Sequence, residues 1–250
     1  MDELSGPRVV FVTGAASGIG RAAAEAFTSR GWATVLADVN ADAGEAVAAE
    51  LSAHGECRFV RCDVTDDSTV EAAIAEVVST YGRLDAAFNA AGIDGEHGKR
   101  TADGTMENWN RVIAVDLTGT FSCMRHEIPA IVASGGGSIV NCASVAGLRA
   151  AATVGAYSAA KHGVVGLTKT AATEYGREGL RINAICPGTV DTPMFRSSMP
   201  QKIVDRLVAM NPVGRIAEAS EIADVALWLC EDAPGFLNGE VITVDGGAGA

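Results

Sequence analysis

The sequence predicts a doubly wound α/β fold, in which helices cover both faces of a central parallel sheet. Three observations predict it. Short β-branched runs alternate with helical stretches roughly every 25 to 30 residues. Hydrophobic residues make up 48% of the chain and aromatic residues only 5%, a balance that favours helices on a sheet over an aromatic-rich β-sandwich. No linker or internal repeat divides the 250 residues, so we expect a single domain over residues 1–250.

The first half of the chain predicts four strands and three helices. Val9 begins a β-branched run that ends in glycines, and the helix that follows is stopped by Gly31. The same alternation continues as far as Asn89. The predicted strands span 9–13, 35–37, 58–62 and 84–89, and the predicted helices span 21–30, 43–52 and 68–81.

The second half continues this alternation after a polar, glycine-containing loop at 94–104. Helices are predicted at about 109–133 and 156–175, and strands at 138–142 and 181–186. Because strand–helix–strand crossovers are right-handed, such units build a parallel sheet with helices on both faces. Ligands of these sheets bind at the carboxyl ends of the strands, where we therefore expect the site residues.

The charge balance argues against nucleic-acid and membrane partners. The formal net charge is −12 and Lys and Arg form no run, so the chain lacks the basic surface that binds nucleic acid or anionic lipid. Asp2 and Glu3 stand where a signal peptide would carry basic residues, and no stretch approaches an uncharged membrane span. We therefore expect a cytoplasmic protein that acts on a small molecule.

The spacing of cysteines and histidines predicts no metal site. None of the six cysteines forms a C-x-x-C pair, and we expect them to be small buried residues. His162 adjoins Lys161, but one step along a helix turns it about 100° away. His54, His97 and His126 have no evident partner, and no histidine is expected in catalysis.

A glycine-rich turn at residues 13–20 joins the first strand to the first helix. Gly14, Gly18 and Gly20 have the spacing G-x-x-x-G-x-G, which lets backbone N–H groups approach a pyrophosphate at the positive end of the helix dipole. The spacing differs from the plain G-x-G-x-x-G, and a tight connection between strand and helix would also explain the turn.

Asp38 favours a nucleotide. It closes the second strand about twenty residues after the glycines, where a carboxylate accepts hydrogen bonds from the adenosine ribose of NAD. A solvated aspartate at a strand end is the alternative. Asp63 and Asn89 end the next two strands, so we expect both on the same rim of the sheet.

Ser144, Tyr157 and Lys161 are the candidate catalytic residues. Tyr157 and Lys161 lie four residues apart on one helix face, and Ser144 follows a strand that enters the same rim. A free tyrosine, with a pKa of about 10, is a poor base near neutrality. An adjacent ammonium and a cationic nicotinamide would both favour its phenolate form. Tyr-x-x-x-Lys also arises by chance, so the surrounding motifs decide its meaning.

These motifs, in this order, resemble the short-chain dehydrogenase/reductase family in its compact form, and the resemblance covers residues 9–247. The family's Asn-x-Ala-Gly motif is similar to residues 89–92, and its Pro-Gly segment beside the nicotinamide to residues 187–192. Residues 239–247 resemble its last strand. The resemblance implies a Rossmann-type fold and hydride transfer between NAD(H) and a carbonyl or secondary alcohol.

The resemblance also implies roles for single residues. Ser144 would hydrogen-bond the substrate oxygen, Tyr157 would transfer its proton, and Lys161 would hold the ribose hydroxyls and lower the tyrosine pKa. Asp63 and Val64 would flank the adenine. The implied cofactor-binding residues are Gly14, Ser17, Gly18, Ile19, Asp38, Asp63, Val64, Asn89, Ala90, Gly92, Tyr157, Lys161, Pro187, Gly188, Val190 and Thr192.

Two positions depart from the family pattern. Ala90 stands where asparagine is common, which is a mild change. Asp116 stands where the family usually has an asparagine that completes a proton relay through water to the lysine. We therefore count Asp116 among the catalytic residues and expect a bound water between it and Lys161. The alternative is that Asp116 caps or bends its helix and takes no part in the relay.

Residues 192–212 are interpreted as a substrate lid. They carry an apolar set within a polar segment, which suits the exclusion of water and an apolar, cyclic or steroid-like substrate. A helix that buries a core stripe is the alternative. The set comprises Met194, Phe195, Met199, Ile203, Leu207 and Met210.

Two other functions stay open. The chain also resembles 3-oxoacyl-carrier-protein reductases, although Asp38 and the lack of a basic residue beside it oppose their usual NADPH. A non-catalytic, NAD-sensing interaction protein would not need Ser144, Tyr157 and Lys161. The family resemblance further implies a homotetramer, built from the helix near Trp109, the Tyr157 helix and the C-terminal strand.

Overall fold

A seven-stranded parallel sheet forms the centre of the computed structural model, which describes residues 6–250. The prediction that no signal peptide is present concerns residues outside this range. The strands are β1 (Val9–Thr13), β2 (Ala33–Asp38), β3 (Cys57–Arg61), β4 (Ala86–Asn89), β5 (Gly137–Cys142), β6 (Leu180–Pro187), β7 (Val190–Asp191), β8 (Ala217–Glu218) and β9 (Val241–Val244). The order in the sheet is β3-β2-β1-β4-β5-β6-β9, and β7 and β8 form a separate parallel pair. The predicted parallel α/β fold is confirmed.

Helices connect the strands of the sheet. They are α1 (Gly18–Ser29), α2 (Ala41–Leu51), α3 (Asp67–Tyr81), α4 (Met106–Val112), α5 (Gly119–Ala133), α6 (Gly155–Tyr175), α7 (Pro193–Ser198), α8 (Gln201–Met210) and α9 (Ala219–Glu231). The helix predicted at 109–133 is divided, because a π-helical turn (Ile113–Thr118) separates α4 from α5. Helix α9 is not among the predicted helices. It begins with a capping box in which Glu218 occupies the N-cap, whereas Ser, Thr, Asp and Asn are the usual sequence signal.

The order of strands reverses at β1, and this reversal positions the site. β1 pairs with β2 on one side and with β4 on the other, both in parallel. The connections leave in opposite directions at this point, so a crevice opens beyond the carboxyl ends of the strands. Thr13 and Asn89 are register partners at this edge, and Asp38 ends β2 beside them.

Both faces of the sheet are buried, as alternate side chains of β1 illustrate. Val9 and Phe11 pack with α3, α5 and α6, whereas Val10 and Val12 pack with α1, α2 and α9. A parallel sheet with helices on both sides needs such an apolar run. Truncation of Phe11, which is fully buried, would cost about 3–5 kcal/mol through loss of contacts and the cavity left behind. The rigid sheet therefore provides a fixed base for the loops at its edge.

The structure tests the predictions made for the cysteines, the histidines and the apolar segments. All six cysteines are free thiols, and residues 6–250 contain no cluster suited to a metal ion. None of the helices in this range combines the length and apolar character of a membrane span. The expectation that the histidines lack partners is wrong for two of them. His126 Nε2 lies 3.1 Å from Asp67 Oδ1, and His97 Nε2 lies 3.4 Å from Asp94 Oδ2.

Candidate active site

A cavity of about 550 Å³ opens beyond the carboxyl ends of the strands. The four predicted catalytic residues, Ser144, Tyr157, Lys161 and Asp116, all line it. Among the predicted cofactor-binding residues, Asn89 is the one that does not line the cavity. The others that reach the wall are Gly14, Ser17, Gly18, Ile19, Asp38, Asp63, Val64, Ala90, Gly92, Pro187, Gly188, Val190 and Thr192.

Gly14 and Gly20 let the turn between β1 and α1 approach neighbouring backbone. Gly14 has a φ of +66°, and a Cβ there would lie 2.9 Å from the backbone of Ala91. A Cβ on Gly20 would lie 2.3 Å from the carbonyl oxygen of Gly14. Both positions therefore require glycine. The turn leads into α1, where Ser17 makes no side-chain capping bond, so the first N–H groups stay available to an anionic group.

Backbone N–H groups fix the Asp38 carboxylate beside this turn. Ala16 donates to Oδ2 at 3.0 Å, and Asn40 donates to Oδ1 at 2.9 Å. An ionised carboxylate has about four acceptor positions, so both oxygens can still accept from a ribose diol. The close glycine turn, the open helix N-terminus and the oriented carboxylate together fit the adenosine half of a dinucleotide.

The side chain of Asn89 lies beneath the cavity and not at its wall. Asn89 Nδ2 donates to Glu127 Oε2 at 2.9 Å and to Asn141 Oδ1 at 3.0 Å, and all three residues are buried. The alternation of side chains along β4 turns Asn89 towards α5. The Asn89 side chain thus supports the strand end below residues 90–92, and its expected contact with the cofactor stays a prediction.

Glu127 is a buried carboxyl group that sequence reasoning missed. Burial raises the pKa of Glu127 to about 8, and the hydrogen bond from Asn89 opposes this shift only in part. Its Oε1 has no hydrogen-bond partner among the described residues. Such a carboxyl group retains its proton near neutral pH. No spacing in the sequence indicates this, because the packing of α5 under β4 creates the environment.

Ser144, Tyr157 and Lys161 come together at the other end of the cavity. Ser144 follows β5, and its Oγ accepts a hydrogen bond from Ala146 N–H at 3.1 Å. Tyr157 and Lys161 lie one turn apart on α6, with Nζ 5.5 Å from the centre of the tyrosine ring. The Ser144 hydroxyl also interacts with Tyr157 in the direction that lowers the tyrosine pKa. A substrate oxygen between the two hydroxyls would therefore meet two hydrogen-bonding groups.

Neighbouring groups act on the pKa of Tyr157 in opposite directions. The net pKa of Tyr157 is raised, because burial outweighs the Lys161 ammonium and the interaction with Ser144, which both act to lower it. Burial alone would lower the pKa of Lys161, but Asp116, Tyr157 and Cys142 act together in the other direction and the net pKa is raised. Lys161 therefore stays charged and is the group that favours the phenolate.

Asp116 contacts Lys161 directly, in place of the expected water bridge. Its Oδ2 lies 3.4 Å from Lys161 Nζ, and its Oδ1 accepts from Ile93 N–H at 2.9 Å. Lys161 Nζ also donates to the carbonyl oxygen of Cys142 at 3.0 Å. A carboxylate attracts a buried ammonium directly, which explains the difference. Burial raises the pKa of Asp116, and Lys161 offsets part of that shift. Asp116 also lies in the π-helical turn, and its part in a proton relay stays a prediction.

The segment predicted as a lid begins against the glycine turn. Thr192 caps α7, since its Oγ1 accepts from Phe195 N–H at 3.2 Å. A Cβ on Gly18 would lie 3.4 Å from Thr192 Cγ2, which is ordinary contact. Helices α7 and α8 follow along one side of the cavity.

The apolar residues of this segment divide into two groups. Ile203 and Met210 are exposed, and Val204 is the one buried residue of α8. Helix α8 therefore does not bury a core stripe, and the interpretation of the segment as a lid stays a prediction. The members that line the cavity are Met194, Phe195, Met199 and Leu207.

Asp94 and His97 line the cavity as well, although sequence analysis assigned them no role. They belong to the polar loop after β4. Ser198, at the end of α7, donates from Oγ to Asp94 Oδ2 at 3.1 Å. The signal that could have located them is their position directly after the motif at 89–92. The loop and the lid segment thus meet at this side of the cavity.

Comparison with known proteins gives matches over almost the whole chain. A family model described as enoyl-(acyl carrier protein) reductase matches residues 14–249. The 2,5-dichloro-2,5-cyclohexadiene-1,4-diol dehydrogenase of Sphingobium indicum is 41% identical, with 99% of this chain and 98% of the relative covered. The cyclohexanol dehydrogenase of an Acinetobacter strain is 40% identical, with 96% and 94% covered. The crystal structure of levodione reductase matches with a TM-score of 0.93, 39% identity and 96% of each chain covered.

Proposed function

The chain belongs to the short-chain dehydrogenase/reductase family, and we propose that it is an NAD(H)-dependent enzyme that interconverts a secondary alcohol on a ring and the corresponding ketone. The observation that carries the proposal is the meeting of Ser144, Tyr157 and Lys161 in the cavity that also contains the glycine turn and Asp38. NAD(H), when bound there, accepts or supplies the hydride.

Side chains of the protein handle the proton in this proposal. The phenolate form of Tyr157 removes the hydroxyl proton of the alcohol, and its hydroxyl form returns a proton to the ketone oxygen. Ser144 Oγ holds the same substrate oxygen beside the tyrosine. Lys161 stabilises the phenolate because a buried ammonium near the ring favours the charged form. Asp116 keeps Lys161 charged through their contact of 3.4 Å.

Asp38 supports NAD(H) over NADP(H). A 2′-phosphate about 4 Å from this carboxylate would meet a repulsion of about 4 kcal/mol per charge pair before screening. Val39 and Asn40, which follow it, supply no cation. In the proposed complex Asp63 and Val64 flank the adenine. The residues proposed to hold the nicotinamide end are Ala90, Gly92, Pro187, Gly188, Val190 and Thr192.

The lid and the relatives support a cyclic substrate. The names of several relatives denote ring alcohols or ring ketones, and methionines give an apolar, adaptable wall. A second candidate is reduction of a carrier-bound 3-oxoacyl group. The description of the family model names an acyl carrier protein, although with an enoyl substrate, and Asp38 opposes the usual NADPH. A role as an NAD-sensing interaction protein would leave the complete catalytic group without a purpose.

Large exposed apolar side chains support the proposed homotetramer. Trp109 on α4 and Phe121 on α5 are 41% and 52% exposed, and Phe236, between α9 and β9, is fully exposed. Surfaces of this kind favour burial against a second copy of the chain. Light scattering at micromolar concentration should give four times the monomer mass, and a monomer mass would contradict the proposal. The cytoplasmic location stays a prediction.

Turnover assays test the proposed activity. The full-length protein is incubated with NAD or NADP and either cyclohexanol or an open-chain secondary alcohol, and the absorbance of the reduced cofactor is followed. We expect the largest kcat/KM for the ring alcohol with NAD. A 3-oxoacyl thioester reduced faster with NADPH would establish the second candidate. The absence of turnover with every substrate, despite binding of NADH, would support the sensor.

A further inference from the structure

Asp94 and His97 form a polar pair in the cavity that the proposed chemistry does not use. Both line the cavity, together with Phe195 and Met199 of the lid segment. His97 Nε2 lies 3.4 Å from Asp94 Oδ2. This nitrogen is buried and makes no hydrogen bond with any described residue. A buried polar atom without a hydrogen bond is costly, and a ligand that satisfies it is one explanation of its retention.

The pair is close to the catalytic group. Asp94 follows Gly92 by two residues, and a Cβ on Gly92 would lie 3.3 Å from both Asp116 Oδ2 and Lys161 Nζ. Ser198 Oγ donates to Asp94 Oδ2 at 3.1 Å, which connects the pair to α7. The carboxylate therefore has a fixed orientation beside the lid segment, in the same cavity as Tyr157.

We propose that Asp94 and His97 recognise a second oxygen of the substrate, so that the preferred ring carries another hydroxyl group besides the one that reacts. This inference rests on the proposed function and narrows its substrate class. A hydroxyl group both donates and accepts hydrogen bonds. Asp94 Oδ1, which accepts no hydrogen bond from the described residues, can accept from it, and an imidazole N–H of His97 can donate to it.

The two residues have different parts in this recognition. Asp94 lies 3.4 Å from the imidazole without a hydrogen bond to it, so its carboxylate stays able to accept from the substrate hydroxyl. His97 offers the buried Nε2 atom, which makes no hydrogen bond with any described residue, to the same hydroxyl. An alcohol without the second hydroxyl would leave the pair unsatisfied. Sites built to hydrogen-bond a substrate hydroxyl discriminate strongly against analogues that lack it.

The test compares cyclohexanol with cyclohexane-1,2-, 1,3- and 1,4-diol, using NAD and the full-length protein. We expect wild-type kcat/KM to favour at least one diol by about tenfold or more. His97→Phe keeps a ring of similar size but removes both nitrogens, and it should abolish most of this preference through a higher KM for the diol. His97→Gln retains a hydrogen-bond donor and an acceptor, and it should keep part of the preference for the diol. His54→Phe is the matched control, because His54 is exposed and lies outside the cavity.

Binding provides a readout that does not depend on turnover. Calorimetric titration of each alcohol into the NADH-bound protein should show weaker diol binding in His97→Phe than in wild type. The inference would be overturned if the two proteins bound the diol with equal affinity or if wild type preferred cyclohexanol. It would also be overturned if His97→Phe weakened the binding of cyclohexanol and of the diol equally. If no alcohol is oxidised by wild type, the proposed function fails, and calorimetry still decides whether the pair binds a hydroxyl group.

Discussion

Replacement of Glu127 by Gln should remove a pH dependence from the stability of the protein. Glu127 is fully buried below the cavity floor, where Asn89 donates to its Oε2 at 2.9 Å and no cation among residues 6–250 acts on its pKa. Burial raises its pKa from an ordinary 4.5 to about 8. Between these values the folded protein holds a proton that the unfolded chain releases. The free energy of unfolding therefore falls as the pH rises through this window.

The size of the effect follows from the width of the window. Each pH unit is worth about 1.4 kcal/mol for one proton, and the window spans about 3.5 units, so this group alone contributes about 5 kcal/mol that is present below pH 4.5 and lost by pH 8. Glutamine has nearly the same shape, keeps an acceptor for Asn89 and does not ionise. The stability of Glu127→Gln relative to wild type should thus rise by about 1.4 kcal/mol per pH unit from pH 5 to pH 8.

Urea unfolding at fixed protein concentration, followed by circular dichroism, measures this difference at each pH. Glu71→Gln is the control, because Glu71 is exposed on α3, and its effect should stay within about 0.5 kcal/mol at every pH. A difference between Glu127→Gln and wild type that is constant from pH 5 to pH 8 would refute the reasoning. It would mean that Glu127 ionises in the folded protein as readily as in the unfolded chain.

Further predictions concern the catalytic group and the cofactor. Tyr157→Phe should retain NADH binding, measured by fluorescence, while kcat falls by about 10²–10⁴-fold; near-normal turnover would mean that another group is the acid. Ser144→Ala should lose less activity in the same assay, because it removes a hydrogen bond and not the transferred proton. Asp116→Asn should stay active. Because Asp116 raises the pKa of Tyr157, the pH at which the rate of alcohol oxidation begins to rise should be lower in the variant than in wild type. A pH–rate profile identical to that of wild type would exclude an electrostatic role of Asp116. The kcat/KM of wild type should be higher with NAD than with NADP, and Asp38→Ala should reduce the ratio of these two values. A wild-type preference for NADP would contradict the role of Asp38.

Periodicity located most elements because the hydrophobic pattern is local. The run at β1 and the turn that follows are visible in the sequence, since a covered parallel strand must be apolar and Gly14 and Gly20 must approach backbone. Helix α9 was not predicted, because its N-cap is Glu218, which is not one of the residues that usually signal the start of a helix. The π-helical turn around Asp116 was missed too, because it depends on how α4 and α5 join.

The sequence by itself determined the type of chemistry. Glycines at fixed spacing, a carboxylate at the end of β2 and a tyrosine one helical turn from a lysine are short-range patterns, and each places its chemical groups with little help from the rest of the chain. Their order along the chain was enough to indicate where the carboxyl ends of the strands would bring them together.

Tertiary structure alone decided contacts between residues that are distant in the chain. It turned Asn89 towards the buried Glu127, joined Asp116 to Lys161 at 3.4 Å and placed His97 in the cavity. These outcomes depend on which side chains share a buried space and on the cost of leaving a charge or polar atom there unpaired. Burial and pairing of this kind arise only when the elements pack, so no local pattern in the sequence specifies them.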